Sequence, residues 1–274
     1  MKYQMDFISE ENFRKHILNT ISHYGEKLKP IDLSKFNSNL IDPIKMMFDR
    51  AVYGITWEEL INNEIFRQRD KTSNNEIGYF HQRIFSYMAD CEVPQQGWDV
   101  IFRRENNAYS IGSETVSTVY VEMKNKHNTM NSASAGKTYI KMQNQLLKDD
   151  NCVCFLVEAI AKASQDKPWN TKVDGQSVSH KRIRRVSMDR FYEIVTGDKN
   201  AFYKICMNLP DVIDDVIRDY PTDFKLPQDT VWQELQKSAQ RAARVNGVPT
   251  DTGIILAIYL LGFGDYNGFA NKLL

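Results

Sequence analysis

Residues 152–160, CVCFLVEAI, form a dense apolar run with no alternation of polar and apolar positions. That is the pattern of a strand buried on both faces, and a sheet with such a strand at its centre needs helices packed on either side. The run therefore restricts the chain to layered α/β folds.

The flanking segments fill in such a fold. Residues 1 to about 90 read as mainly helical. Ser9, followed by Glu10, Glu11 and then Phe13, Ile17 and Ile21, predicts a capped amphipathic helix. Pro43 precedes a second helical segment at 44–52, and 57–66 predicts a third. The polar stretch 67–75 predicts a loop, and 77–88 is helical again with Phe80, Ile84, Phe85 and Met88 on one side. Residues 97–102 read as a strand and 103–107 as a hairpin tip. A second strand, 116–123, is rich in β-branched and aromatic residues. A loop of small polar residues at 125–136 leads into a helix at 137–147 and then into the buried strand. This order implies an α/β sandwich. Beyond 188 the pattern is helical at 188–195, 201–207 and 211–217. A linker at 220–229 sets off two more helix-like stretches, 231–245 and 252–261, which resemble a small helical hairpin. The expected division is a domain at 1–219 with a helical N-terminal part, and a C-terminal helical extension at 220–274.

With 42% apolar and 26% charged residues, the 274-residue chain can bury a real core. Its 35 basic and 35 acidic side chains cancel; that balance neither announces nor excludes a nucleic-acid partner, because clustering matters as well as the total. Cys91, Cys152, Cys154 and Cys206 form no CxxC pair, and the five histidines show no zinc-like spacing beside them. Cys152 and Cys154, two apart in the apolar run, are expected on the buried face of a strand as reduced packing residues. The N-terminus lacks the apolar stretch of a signal peptide, and the longest apolar run, 253–263, falls short of the roughly 20 residues of a membrane span. The expected location is the cytoplasm.

The chemistry sits in Trp98-Asp99 and, after 22 intervening residues, Glu122-Met123-Lys124. Hydrolysing a phosphodiester takes a nucleophilic water, neutralisation of phosphate charge and help for the leaving oxygen. Hard oxygen ligands hold Mg²⁺, which clamps the phosphate and lowers the pKa of bound water. Carboxylates on neighbouring strands can share that ion. A lysine two residues after the second carboxylate points to the same face, because side chains alternate with period two. Asp99 and Glu122 are thus the candidate metal ligands and Lys124 the group that orients the water. A second match, Asp223-Phe224-Lys225, follows Pro221 in a linker with no apolar strand behind it, and is set aside.

The strings EIFRQRDKTSNNEIGYFHQRIF, GWDVIF, VYVEMKNKHNTMNS, KTYIKMQNQLLKDDNC and SHKRIRRVSMDRFYEIVTG resemble a family of type II restriction endonucleases that cut five-base sites of the form GGNCC or GGWCC. The resemblance covers about 6–217. It implies a restriction-endonuclease-like PD-(D/E)XK core with a central mixed β-sheet flanked by helices, Mg²⁺ dependence, double-stranded DNA as substrate, a homodimer and functional pairing with a DNA methyltransferase. The Pro-Asp of the superfamily's name is Trp98-Asp99 here. The resemblance says nothing about the chain beyond 220.

Further candidates surround this core. Asn125, Lys126, His127 and Asn128 leave the catalytic strand, where phosphate contacts often arise, though a solvated loop is also polar. Lys137 and Lys141, four apart, suit tracking of a DNA backbone, as a solvated helix face also would; Gln143 sits where relatives in the superfamily carry a site-supporting glutamine. Glu76, and after it Glu64, are candidates for an extra metal-holding carboxylate; Glu76 also fits a helix N-terminal charge favoured by the dipole. Lys181, Arg182, Arg184 and Arg185 form the strongest basic cluster in the chain, suited to guanine or phosphate contact. Two rival readings stay open: a repair or junction-resolving nuclease without sequence specificity, and a catalytically silent DNA-binding module.

Overall fold

The computed structural model describes residues 3, 5–27, 29–105, 107–127, 130–220 and 228–263, with backbone alone at 25–27. The first half holds helices α1 (Glu10–Lys27), α2 (Leu33–Asn37), α3 (Pro43–Tyr53) and α4 (Trp57–Arg83), then strands β1 (Cys91–Glu92), β2 (Val100–Arg103), β3 (Tyr109–Ile111), β4 (Glu114–Val116) and β5 (Thr118–Lys126). The second half holds α5 (Ser132–Lys148), β6 (Cys152–Ile160), β7 (Asp166–Pro168), β8 (Thr171–Val173), β9 (Gln176–Val178), β10 (Ile183–Ser187), α6 (Met188–Thr196), α7 (Ala201–Asp219), α8 (Val231–Asn246) and α9 (Thr250–Phe263). A 3-10 turn, Ile84–Tyr87, follows α4.

Contacts divide the chain into two compact units, Met1–Ser22 with Asn75–Thr222, and His23–Asn74 with Asp223–Leu274. Residues 23–74, expected within a 1–219 domain, thus cluster with the C-terminal segment. The reason is burial: Phe36, Leu60, Ile61 and Ile65 share one apolar cluster with Val231, Leu235 and Ile258. Instead of a hairpin, α8 and α9 enclose a bend of 111°, and Gly253 allows α9 to cross close to α8, since a Cβ there would lie 2.5 Å from the Ala239 carbonyl oxygen. Among the described residues no single helix is long and apolar enough to cross a membrane.

The first unit is built on a mixed six-stranded sheet in the order β1-β2-β5-β6-β10-β7. β5, β6 and β10 run parallel to one another, while β1–β2, β2–β5 and β10–β7 are antiparallel. β6 is the buried strand foreseen from 152–160, and its first seven residues are buried. One face carries Val119, Val121, Val153, Phe155 and Val157 against Phe13, Phe85, Phe191 and Ile205. The opposite face packs Cys154, Leu156 and Ile183 against Tyr139 and Met142 of α5 and against Trp169. All four cysteines are free thiols, Cys152 and Cys154 buried.

Four local expectations differ from the structure, the first being the loop expected at 125–136, which is shorter because β5 runs to Lys126 and α5 starts at Ser132, capped by the Asn131 side chain. The predicted loop at 67–75 is the middle of α4, a 27-residue helix. The stretch is polar but holds no Gly or Pro, and helical-spacing side-chain bonds, Thr72 to the Gln68 carbonyl at 3.2 Å and Asn74 to Asp70 at 2.9 Å, suit it to a helix. The tip at 103–107 opens into the β3–β4 ribbon. The two helices expected at 201–217 are one, α7, which runs through Pro210 because Ile205, Val212 and Val216 are buried on both sides of it.

Candidate active site

β2 and β5 set the geometry. Val100 pairs with Val121 in antiparallel register, so Asp99, just ahead of β2, lies beside Glu122. The Asp99 N–H donates to the Val121 carbonyl at 3.0 Å, and its Oδ2 accepts from the Met123 N–H at 2.7 Å. Gln82, one residue from the end of α4, donates to the Asp99 carbonyl at 3.1 Å and lies 3.4 Å from its Oδ1. Asp99 is thus held on both its backbone and its carboxylate.

Along β5, Val119 and Val121 go into the core on one face, and period two sends Glu122, Lys124 and Lys126 to the face covered by α5. Lys124 Nζ lies 4.0 Å from Glu122 Oε2. Glu122 Oε1 is met by Lys141 from α5. The Lys141 ammonium also donates to the Gly97 carbonyl and stands 4.3 Å above the Trp98 ring, so the residue in place of the motif's proline forms a wall of the site. Two carboxylates and two ammonium groups therefore converge where the start of β2 lies against the second half of β5.

A second cluster adjoins the first. Lys124 pairs in register with Glu158 of β6, a buried carboxylate whose Oε2 lies 3.0 Å from His127 Nδ1 and whose Oε1 meets Arg185. Arg185 Nη2 is also 2.8 Å from His127 Nδ1. Burial pushes the Glu158 carboxyl up, but hydrogen bonds and charge from Arg185 and His127 outweigh this and hold it below the usual range. Glu158, Lys124, Lys126 and Arg185 line one cavity of about 220 Å³, closed on another side by Trp169.

The remaining candidates are distributed as follows. Lys181 and Arg182 both pair with Glu114, and Arg184 pairs with Asp166 at 2.6 Å. With Arg185 on Glu158, every member of the basic cluster already has an acidic partner, and only Arg185 shares the cavity of Lys124. On α5, Lys137 lies one turn from Lys141 and is exposed. Gln143 is two residues, about 200° of helix, from Lys141 and cannot share its face. Asn125 Oδ1 is buried without a hydrogen-bond partner, and Asn128 lies outside the described residues. Glu76 is buried in mid-α4, which removes the helix-start explanation of its charge, and Glu64 pairs with Arg67 in the other unit. Gln82 and Glu158 have no counterpart among the residues singled out from the sequence, and Trp98 is named there only as standing in the proline's place. Only Glu158 left a signal, as the lone charge in an apolar strand, which must find a partner when buried.

Among the described residues no group of three or more His, Cys, Asp or Glu side chains forms a metal-chelating cluster. Two adjacent carboxylates nonetheless fit Mg²⁺, which keeps several waters and takes one or two carboxylates plus phosphate oxygens. Such an oxygen-rich, lysine-flanked site is chemically suited to phosphodiester hydrolysis.

Residues 5–218 match the Eco47II restriction endonuclease family. The type II restriction enzyme Sau96I of Staphylococcus aureus is 29% identical over 222 residues, spanning 78% of this chain and 81% of its own length. The type II restriction enzyme Eco47II of Escherichia coli is 25% identical over 225 residues, spanning 78% and 89%. The molecule is a type II restriction endonuclease, a site-specific deoxyribonuclease acting on DNA. Within that class the chain belongs to the Eco47II restriction endonuclease family.

Proposed function

We propose that this enzyme is a PD-(D/E)XK-type nuclease that cuts double-stranded DNA at a GGNCC- or GGWCC-like palindrome, as a homodimer in which each copy cuts one strand. The observation that carries the reading is the placement of Asp99 beside Glu122, with Lys124 next along the same face of β5. Asp99 and Glu122 would hold Mg²⁺, which when bound neutralises phosphate charge and acidifies the attacking water. Lys124 donates a hydrogen bond that orients that water. Gln82 and the Met123 N–H fix the Asp99 carboxylate, and Lys141 fixes that of Glu122. Glu76 is the proposed accessory carboxylate. Lys126 and Lys137, both exposed, suit phosphate contacts, with Asn125, His127 and Asn128 as further DNA contacts; Gln143, on another face of α5 from Lys141, would reach DNA only away from the cleavage site. For Lys181, Arg182, Arg184 and Arg185, DNA would take the place of carboxylates that now bind them. Two-fold protein symmetry matches a palindromic site, and a cognate methyltransferase in the same cytoplasm would protect host DNA. We assign this chemistry to the unit that carries the sheet.

Digestion of a plasmid bearing several such sites tests this. Discrete fragments ending at those sites are expected with Mg²⁺ and none with EDTA; a smear would overturn the sequence specificity. Asp99→Ala, Glu122→Gln and Lys124→Ala should each slow cleavage by about a thousandfold or more. Cutting at the wild-type rate by any of them would remove that residue from the mechanism.

A further inference from the structure

Helix α3 carries an apolar stripe that the described residues of its own unit leave uncovered. Ile44, Phe48 and Val52 recur every fourth residue, which keeps them on one face, and they are 51%, 67% and 75% exposed. The helix already commits Pro43 and Met46 to the interior, so the stripe is a second, separate apolar face. Leu40, 90% exposed, and Tyr53, 69% exposed, flank its ends, and both line a groove of about 360 Å³. Leu40 also sits at φ +50°, a conformation that strains a residue with a side chain.

Monomers seldom expose contiguous apolar patches above a few hundred Å². Ile44, Phe48 and Val52 alone expose on the order of 400 Å² per copy, about half of the ~800 Å² per partner of a standard interface, and so can form its apolar centre with a polar rim around it. Charge says which partner fits. Lys45 and Asp49 form an i, i+4 pair along one flank of the stripe. When two copies of a helix pack antiparallel about a two-fold axis, like flank meets like flank, so each Lys45 comes opposite the second copy's Asp49. The surface is therefore complementary to itself, as an isologous contact requires.

We infer that α3 forms a two-fold interface with α3 of a second copy of this chain, with Ile44, Phe48 and Val52 at its centre. The inference rests on the homodimer proposed above and names the surface that makes it.

Sedimentation velocity on the full chain tests it. Wild type should run as a dimer. Phe48→Asp and Val52→Asp should each raise the dimer dissociation constant at least a hundredfold. Tyr203→Asp, at a similarly exposed aromatic of the other unit (64%), should leave the dimer intact. A Phe48→Cys variant treated with a mild oxidant should give a covalent dimer on a non-reducing gel, above the background that wild type sets through exposed Cys206; this decides the matter should the Asp variants misfold. A wild-type dimer that survives both Asp substitutions and shows no Phe48→Cys cross-link overturns the interface but leaves the homodimer standing. A wild type that stays monomeric with and without DNA overturns the homodimer and the interface with it.

Discussion

Glu158 shows how a single charge organises its surroundings. Its side chain is 2% exposed in the central strand, and a carboxylate there persists only if compensated. Arg185 and His127 supply the compensation from a strand and a turn far off in sequence. Glu158→Leu should therefore destabilise the fold by about 3–5 kcal/mol in denaturant titration, since it leaves a partly buried guanidinium without its partner. The Glu158→Leu/Arg185→Leu double variant should recover most of that loss; a double variant whose loss equals the sum of the Glu158→Leu and Arg185→Leu losses would show that the pair is not coupled. Much of this scale was legible in the sequence. Glu122 and Lys124 share a face because the strand period is two, and Asp99 lay on the preceding predicted strand. Gln82 was not legible, because nothing in a helical pattern says that its end will reach a neighbouring strand.

At the scale of elements, polarity misled where conformational propensity did not. The α4 stretch through 67–75 lacks apolar periodicity, yet its residue types tolerate a helix and no breaker interrupts it. Lys71→Pro should cost about 3 kcal/mol or more, as proline in a helix interior does; a variant with wild-type stability would mean that the stretch behaves as the loop its polarity suggests. The α8–α9 crossing makes a second prediction. Gly253→Ala would push a Cβ to 2.5 Å from the Ala239 carbonyl oxygen and 2.8 Å from Ala243 Cβ. The helices must separate to admit it, at about 1–3 kcal/mol, which thermal denaturation would register as a lower Tm. β6, α6 and α8 were read nearly to their ends because periodicity is sustained along them, whereas the first five residues of α5, all small, read as loop. The short strands β7, β8 and β9, of three residues each, hold too few positions to display a period.

Across the whole molecule, acid should unfold the protein through buried histidines before carboxylates matter. His16 and His81 are each lowered by burial to about 4; His16 lies 3.0 Å from the Phe80 carbonyl through Nε2, and His81 Nδ1 is buried without a hydrogen-bond partner. Between pH 6.5 and about 4 the unfolded chain binds protons that the folded chain refuses, so stability falls as pH falls through that window. His16 alone should account for a loss on the order of 3 kcal/mol. Glu158 adds to it at lower pH: its folded-state pKa is depressed, so its contribution is present above the ordinary carboxylate range and is lost on acidification. Urea titrations at pH 7, 5.5 and 4.5 measure this directly. His16→Leu should flatten the dependence, and an unchanged slope would show that His16 is not the group that titrates. The sequence by itself determined what is local: the buried strand, the face shared by Glu122 and Lys124, the helix caps and the strings that carry the family resemblance across most of the chain. Only the tertiary structure decided that β10 lies beside β6, which brings Arg185 to Glu158, and that residues 23–74 close on the C-terminal helices. Periodicity fixes which way a side chain points along its own element. Which elements become neighbours depends on which apolar faces bury one another most completely, and that is settled only when the chain packs.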